Sequence, residues 1–160
     1  MYRIGIGYDV HPFDGQGPVR LCGIDVPYHR GLGGHSDADV ALHALCDALL
    51  GAAALLDIGH HFPPHDPEYK GISSRVLLAR VCNLVAENGF RVVNVDIVII
   101  CQAPRIADYI PEMREAVAET MKIPVDRAGV KATTTEGLGA LGRGEGIAAQ
   151  AVALILTTED

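Results

Sequence analysis

The chain has 160 residues, a mass of 17.0 kDa, 49% hydrophobic residues and a formal charge of -7. That length fits one domain with a sizeable core, and the acidic balance excludes the concentrated basic face that a nucleic-acid or anionic-membrane partner requires. No apolar stretch is long enough to span a bilayer, and no signal or transit segment is expected. The widely spaced Cys22, Cys46, Cys82 and Cys101 read as small core residues of a cytoplasmic protein rather than as a disulfide framework.

Tyr2 to Tyr8 predicts a short strand in which Gly5 and Gly7 invite close approach by another backbone or a ligand. Asp9-Val10-His11 follows it directly, and on extended chain the Asp and His side chains leave the same face as a chelating pair. The Gly- and Pro-rich segment 15–34 predicts a hairpin between Val19–Cys22 and Asp25–Tyr28. Ser36 reads as an N-cap with Asp39 three residues on, and Leu42, Leu45, Leu49 and Ala53 recur at helical spacing, predicting a helix from Asp37 to Ala53. On it Asp39, His43 and Asp47 share one stripe. That stripe fits a solvated face or, on a helix so rich in Ala and Leu, a buried one in which Asp47 orients His43.

The prolines in His60-His61-Phe62-Pro63-Pro64-His65-Asp66-Pro67 predict a loop, solvated or acting as a substrate lid, because they deny its histidines helical spacing. Ser74 to Asn88 predicts a second helix stopped by Gly89, and Phe90 to Cys101 a central strand dense in β-branched residues. A third helix begins near Pro111 and ends before Pro124, and strands follow at 128–134 and 147–157, although Ala148 to Ala153 has equal propensity for helix. The expected fold is α+β: a two-layer β-α-β-α-β-β domain over residues 1–160, with a mixed sheet covered by helices.

Two clusters carry chemistry. Asp9, His11 and His43 supply three corners of a tetrahedron with an open fourth position, the way catalytic zinc is held. Taken singly, the same residues fit solvated or hydrogen-bonded side chains, and spacing alone leaves both readings open. Lys131-Ala132-Thr133-Thr134-Thr135-Glu136, followed by Gly142-Arg143-Gly144-Glu145-Gly146, brings hydroxyls, a carboxylate and an arginine beside a glycine-rich turn. These are parts for holding a diphosphate, with Glu136 placed to take a divalent cation. They fit a threonine strand running into a loop equally well, and no Walker-type signature decides between the two.

In this order, the motifs Gly7 to His11, His35 to His43, Asp57-Ile58-Gly59, Gln102-Ala103-Pro104 and Lys131 to Gly146 closely resemble the 2-C-methyl-D-erythritol 2,4-cyclodiphosphate synthase family over essentially the whole chain. The resemblance implies a homotrimer with active sites between subunits, zinc on Asp9, His11 and His43, and a second cation, Mg²⁺ or Mn²⁺, near Glu136. It implies a cytidine diphosphate-type substrate, 4-diphosphocytidyl-2-C-methyl-D-erythritol 2-phosphate, whose 2-phosphate attacks the β-phosphorus and expels CMP. His35 and Thr134 match positions of transition-state stabilisers. Substrate contacts match Asp9, His11, His35, Ser36, Asp57, Ile58, Gly59, Phe62 and Asp66. They also match the cytidine segment Cys101, Ala103, Pro104, Arg105, Ile106 and Ala107, together with Thr133, Thr134, Thr135, Glu136 and Arg143. Pro64 and Gly137 stand where other members carry an Asp and a Lys, and Ala140 stands where an aromatic lines the cavity on the trimer axis. Competing readings are a zinc phosphohydrolase, which releases inorganic phosphate, and a trimeric binding module with structural zinc, against which three ligands rather than four weigh.

Overall fold

The structure, a computed structural model, describes residues 1–158. Its first strand, β1 (Tyr2–Asp14), is longer than the Tyr2 to Tyr8 expected, so Asp9 and His11 lie within the strand rather than after it. A small hairpin, β2 (Val19–Leu21) and β3 (Ile24–Val26), and a short edge strand, β4 (Gly31–Leu32), come next. The helices α1 (Val40–Ala52), α2 (Ile58–His61) and α3 (Ser74–Glu87) follow one another with no strand between them. Then come β5 (Phe90–Ile100), α4 (Ile110–Met121), β6 (Ala128–Thr133), α5 (Gly139–Gly142) and β7 (Gly146–Thr157). The long elements therefore run β-α-α-β-α-β-β, and the expected β-α-β-α-β-β order was one helix short.

The main sheet has five strands in the order β4-β1-β7-β5-β6. Only β5 and β6 are parallel, joined by the crossover through α4 that parallel pairing demands; every other pair is antiparallel, so the sheet is mixed. β7 is strand throughout, including the stretch from Ala148 to Ala153 with helical propensity, because it pairs along both edges in the middle of the sheet. Helices cover one face. The largest fully buried side chains, among them Leu42, Leu45, Leu49, Leu78, Ile97 and Ile155, fill the space between the two layers.

Two local expectations are corrected. α1 begins at Val40, not Asp37, because Ala38 has φ +57°, a left-handed conformation that a helix cannot include. Its N-cap is Asp39, whose carboxylate accepts from Leu42 N at 3.1 Å; Ser36 does not cap it. The segment 60–67 is also more ordered than a loop. Asp57 caps α2 by accepting from His60 N at 2.9 Å, and a 3-10 turn forms at Pro67–Tyr69, with Pro63 and Pro64 between the two. All four cysteines are free thiols packed at least partly inside. Burial pushes Cys82 up to about 12 and Cys101 to about 11, which keeps both protonated at neutral pH.

Candidate metal centre and active site

Asp9 and His11 point from β1 toward α1, and His43 projects back from the first turn of that helix. Asp9 Oδ2 lies 2.9 Å from His11 Nε2 and 3.2 Å from His43 Nδ1, and the two ring nitrogens are 3.1 Å apart. Among the described residues these three form the one cluster of metal-ligand type. The donor set fits a divalent ion. His11 Nδ1 donates to the Gly33 carbonyl at 2.5 Å, so the neutral ring turns the lone pair of Nε2 toward Asp9 and His43, and the protonated ring donates from Nε2 to Asp9. Burial raises the Asp9 pKa, but hydrogen bonds from both histidines outweigh it and hold the carboxyl well below the usual range. For His11 the signs reverse: burial lowers its pKa, yet the bond to Asp9, helped by Gly33, lifts it above its ordinary 6.5.

The cluster opens into a cavity of about 260 Å³ lined by His35, Ser36, Ile58, Gly59 and Phe62 among the expected contacts. Pro64, Tyr69, Ile72 and Leu77 also line it, and sequence reasoning missed the last three. Their only signal was an apolar residue near each proline or helix start, which marks core as readily as cavity. Ser36 Oγ lies 2.9 Å from His43 Nε2. Asp57 and Asp66 cap their short helical turns with their side chains, each using one carboxylate oxygen.

Asp47 does not orient His43. It accepts from Ile58 N at 2.8 Å and so fixes the start of α2, while His43 Nε2 faces two hydroxyls instead, Ser36 and Ser74. The polar stripe on α1 is thus neither solvated nor a relay. Asp39 anchors the β2–β3 turn by accepting from Cys22 N at 2.9 Å and Gly23 N at 2.6 Å, His43 faces Asp9 and His11, and Asp47 holds the cavity wall.

The remaining expected residues gather elsewhere. Cys101, Pro104, Arg105, Ile106 and Ala107 line a second cavity with Thr133 and Thr134 at the ends of β5 and β6, and Ala103 lies within the same turn. Asp9 shares a register row with Ala149, Ile99 and Ala132, so the two groups stand three strand spacings, about 14 Å, apart. Glu136 lies on an exposed turn at φ +56°, with its N–H on Thr134 Oγ1, and is not brought to the Asp9 cluster. Thr135 donates to the Leu138 carbonyl at 2.7 Å, and Arg143 pairs with Glu145 at 2.6 Å.

A mixed α+β sheet with one helix-covered face and an Asp-His-His cluster of metal-ligand type opening into a cavity defines the class: an α+β domain with a candidate metal site at the mouth of a pocket. The model of the YgbB family matches residues 2–156, and the chain belongs to that family. It is 59% identical over 155 residues to the 2-C-methyl-D-erythritol 2,4-cyclodiphosphate synthase of Methylococcus capsulatus, covering 97% of this chain and 98% of that one. It is 57% identical over 157 residues to the same enzyme of Moorella thermoacetica, covering 98% and 96%. A solved 2C-methyl-D-erythritol-2,4-cyclodiphosphate synthase in its CDP-bound form superposes with a TM-score of 0.88 at 36% identity, covering 96% of this chain and 100% of that one. The bifunctional IspDF of Campylobacter jejuni superposes at 0.95 with 39% identity, covering 98% of this chain, which spans 42% of that one.

Proposed function

We propose that this chain cyclises 4-diphosphocytidyl-2-C-methyl-D-erythritol 2-phosphate to the 2,4-cyclodiphosphate with release of CMP, as a phosphorus–oxygen lyase of isoprenoid biosynthesis. The observation that carries this is the Asp9-His11-His43 cluster opening into the cavity shared with His35 and Ser36. An oxygen of the 2-phosphate forms a bond to the β-phosphorus, the bond between that phosphorus and the CMP oxygen breaks, and no water is consumed. The protein's task is to hold two repelling phosphates in line. Zinc fits Asp9, His11 and His43, and such an ion supplies a Lewis acid against phosphoryl charge. Ser36 and His35, on the cavity rim, hold the attacking phosphate, while the backbone of Ile58 and Gly59 and the ring of Phe62 enclose the methylerythritol carbons. The second cavity takes the cytidine, with Thr134 and its neighbours on the diphosphate and Glu136 on a second cation, Mg²⁺ or Mn²⁺.

Two half-sites on one chain become one site if copies pack with the metal cavity of one against the threonine cavity of the next, as in a homotrimer. What supports this reading is the sheet face that the helices leave open. Tyr2, Ile4, Ile6, Tyr8 and Val10 of β1 stand 65, 71, 62, 58 and 49% exposed there, a row too apolar to be left to water. Leu138, beside the threonine run, is 73% exposed.

The test is phosphorus NMR of the purified protein with the cytidine diphospho-substrate, before and after chelation. CMP with a cyclic diphosphate, lost on chelation and restored by zinc with magnesium, is the expected result; inorganic phosphate without a cyclic product would instead establish a hydrolase.

A further inference from the structure

Ser74, the first residue of α3, is fully buried, and its hydroxyl lies between two partners. It donates to Asp37 Oδ1 at 2.5 Å and stands 3.0 Å from His43 Nε2. Asp37 accepts from Ser74 a second time, through the backbone N–H at 3.0 Å to Oδ2, and Arg20 Nε is 4.0 Å from the same oxygen. An ionised carboxylate only accepts, so the Ser74 proton is committed to Asp37 and its oxygen lone pairs face His43. This favours the proton on His43 Nε2, where it donates to Ser74, and leaves the lone pair of Nδ1 for an ion held with Asp9 and His11.

We infer that Asp37 and Ser74 are positioning residues for the metal centre: a carboxylate–hydroxyl pair, brought from the loop before α1 and the start of α3, that sets the tautomer of His43 for metal binding. On the Nε2 side the pair alone decides, because Ser36 Oγ, 2.9 Å from the same nitrogen, can donate or accept; on the Nδ1 side Asp9 Oδ2, 3.2 Å away, pulls the other way until an ion takes up the carboxylate. With Nε2 protonated, the hydroxyl proton of Ser36 is turned away from His43 and is free to point into the cavity. The Asp37–Ser74 pair thus presents two groups at once, a metal-ready nitrogen and a phosphate-ready hydroxyl. It deepens the reading of Asp9, His11 and His43 as metal ligands and rests on it.

The test measures zinc affinity by chelator competition in wild type, His43→Ala, Ser74→Ala, Asp37→Asn and the double variant. Nitrogen-15 NMR reports the His43 tautomer of the metal-free protein at pH 8. Ser74→Ala is a safe truncation, since Ala is favoured in a helix and the cap residue is Ser73. Zinc binding is expected to weaken about 10- to 100-fold in Ser74→Ala, as for other groups that orient a ligand histidine. Asp37→Asn should do the same, because its amide donates to Ser74 and turns that hydroxyl's proton onto Nε2, shifting the tautomer to Nδ1–H. The double variant should be no weaker than Ser74→Ala, because Asp37 acts through Ser74. Wild-type affinity in Ser74→Ala, an unchanged tautomer in Asp37→Asn, or additive losses would overturn the pair's role. An affinity unaltered by His43→Ala would overturn the ligand reading instead.

Discussion

Gly7 of β1 lies so close to α1 that a Cβ there would stand 1.9 Å from the carbonyl oxygen of Ala44. Gly5 repeats the contact one turn along, 2.0 Å from the Ala48 oxygen. Strand and helix therefore meet backbone to backbone, which is what brings Asp9 and His11 on one within 3.2 Å of His43, next to Ala44, on the other.

Gly7→Ala must push α1 away from β1 and should cost about 3 kcal/mol or more, at the upper end of overpacking penalties. It should weaken zinc binding at the same time. Gly51→Ala is the control, since its Cβ meets nothing nearer than the Ile6 carbonyl at 3.9 Å, and it should gain about 0.5–1 kcal/mol from helix propensity. Urea midpoints of both variants with a chelator titration decide the matter; a stable, zinc-competent Gly7→Ala protein would mean that the contact does not set the geometry.

Protons and metal compete for the same atoms. In the metal-free protein the lowered Asp9 pKa contributes stability that is present above the ordinary value of 3.8 and lost as the pH falls. The raised His11 pKa contributes stability that is present below 6.5 and lost as the pH rises through the folded value. Zinc requires His11 deprotonated, so its apparent affinity should fall about 10-fold per pH unit below that raised value. Melting curves with and without zinc should diverge as the pH rises from 5 to 8, and a constant zinc-induced shift would show that His11 is not a ligand.

Asp39 is fully buried, and burial raises its pKa to about 6 although the N–H groups of Gly23 and Leu42 pull it back. Both oxygens are used, so Asp39→Asn places an amide NH₂ against an N–H donor. It should destabilise the fold by about 2–4 kcal/mol, read as a drop in urea midpoint with the zinc stoichiometry unchanged. A midpoint equal to wild type would show that the turn at Cys22 and Gly23 holds without it.

In the proposed assembly, where the Asp9 cavity of one copy meets the threonine cavity of the next, variants of each should rescue one another. His43→Ala should abolish turnover, and Thr134→Ala should lower kcat about 100-fold with little change in KM, as for loss of a transition-state donor. Mixing the two impaired proteins under exchange conditions should raise the rate above that of either alone. Ile6→Arg on the open sheet face should yield folded monomers without activity, measured by sedimentation. Failure to complement alongside an active Ile6→Arg monomer would return the site to a single chain.

Much of this site was legible because its chemistry follows local periodicity. Asp9 and His11 differ by two on a strand, and His43 follows a helical pattern that predicts which side faces inward. What sequence did not reveal was long-range pairing. Ser36 and Asp39 both suit an N-cap, and only the left-handed Ala38, which carries no sequence signature, decides between them. Asp47 shares its stripe with His43, four residues away, yet its partner is the backbone of Ile58, eleven residues on. Ser74 read as part of a helix start, because its bond to Asp37 spans 37 positions.

The stripe of Asp39, His43 and Asp47 makes α1 a jig. Its three teeth index the hairpin, the metal arm and the cavity wall to one rigid rod, each a helical turn from the next. Parts clamped to one jig keep their spacing when something else is exchanged. The stretch from Gly59 to Asp66 can therefore be lengthened, shortened or swapped to reshape what the cavity accepts, and the metal arm will not need re-aligning so long as the Ile58 N–H still seats on Asp47.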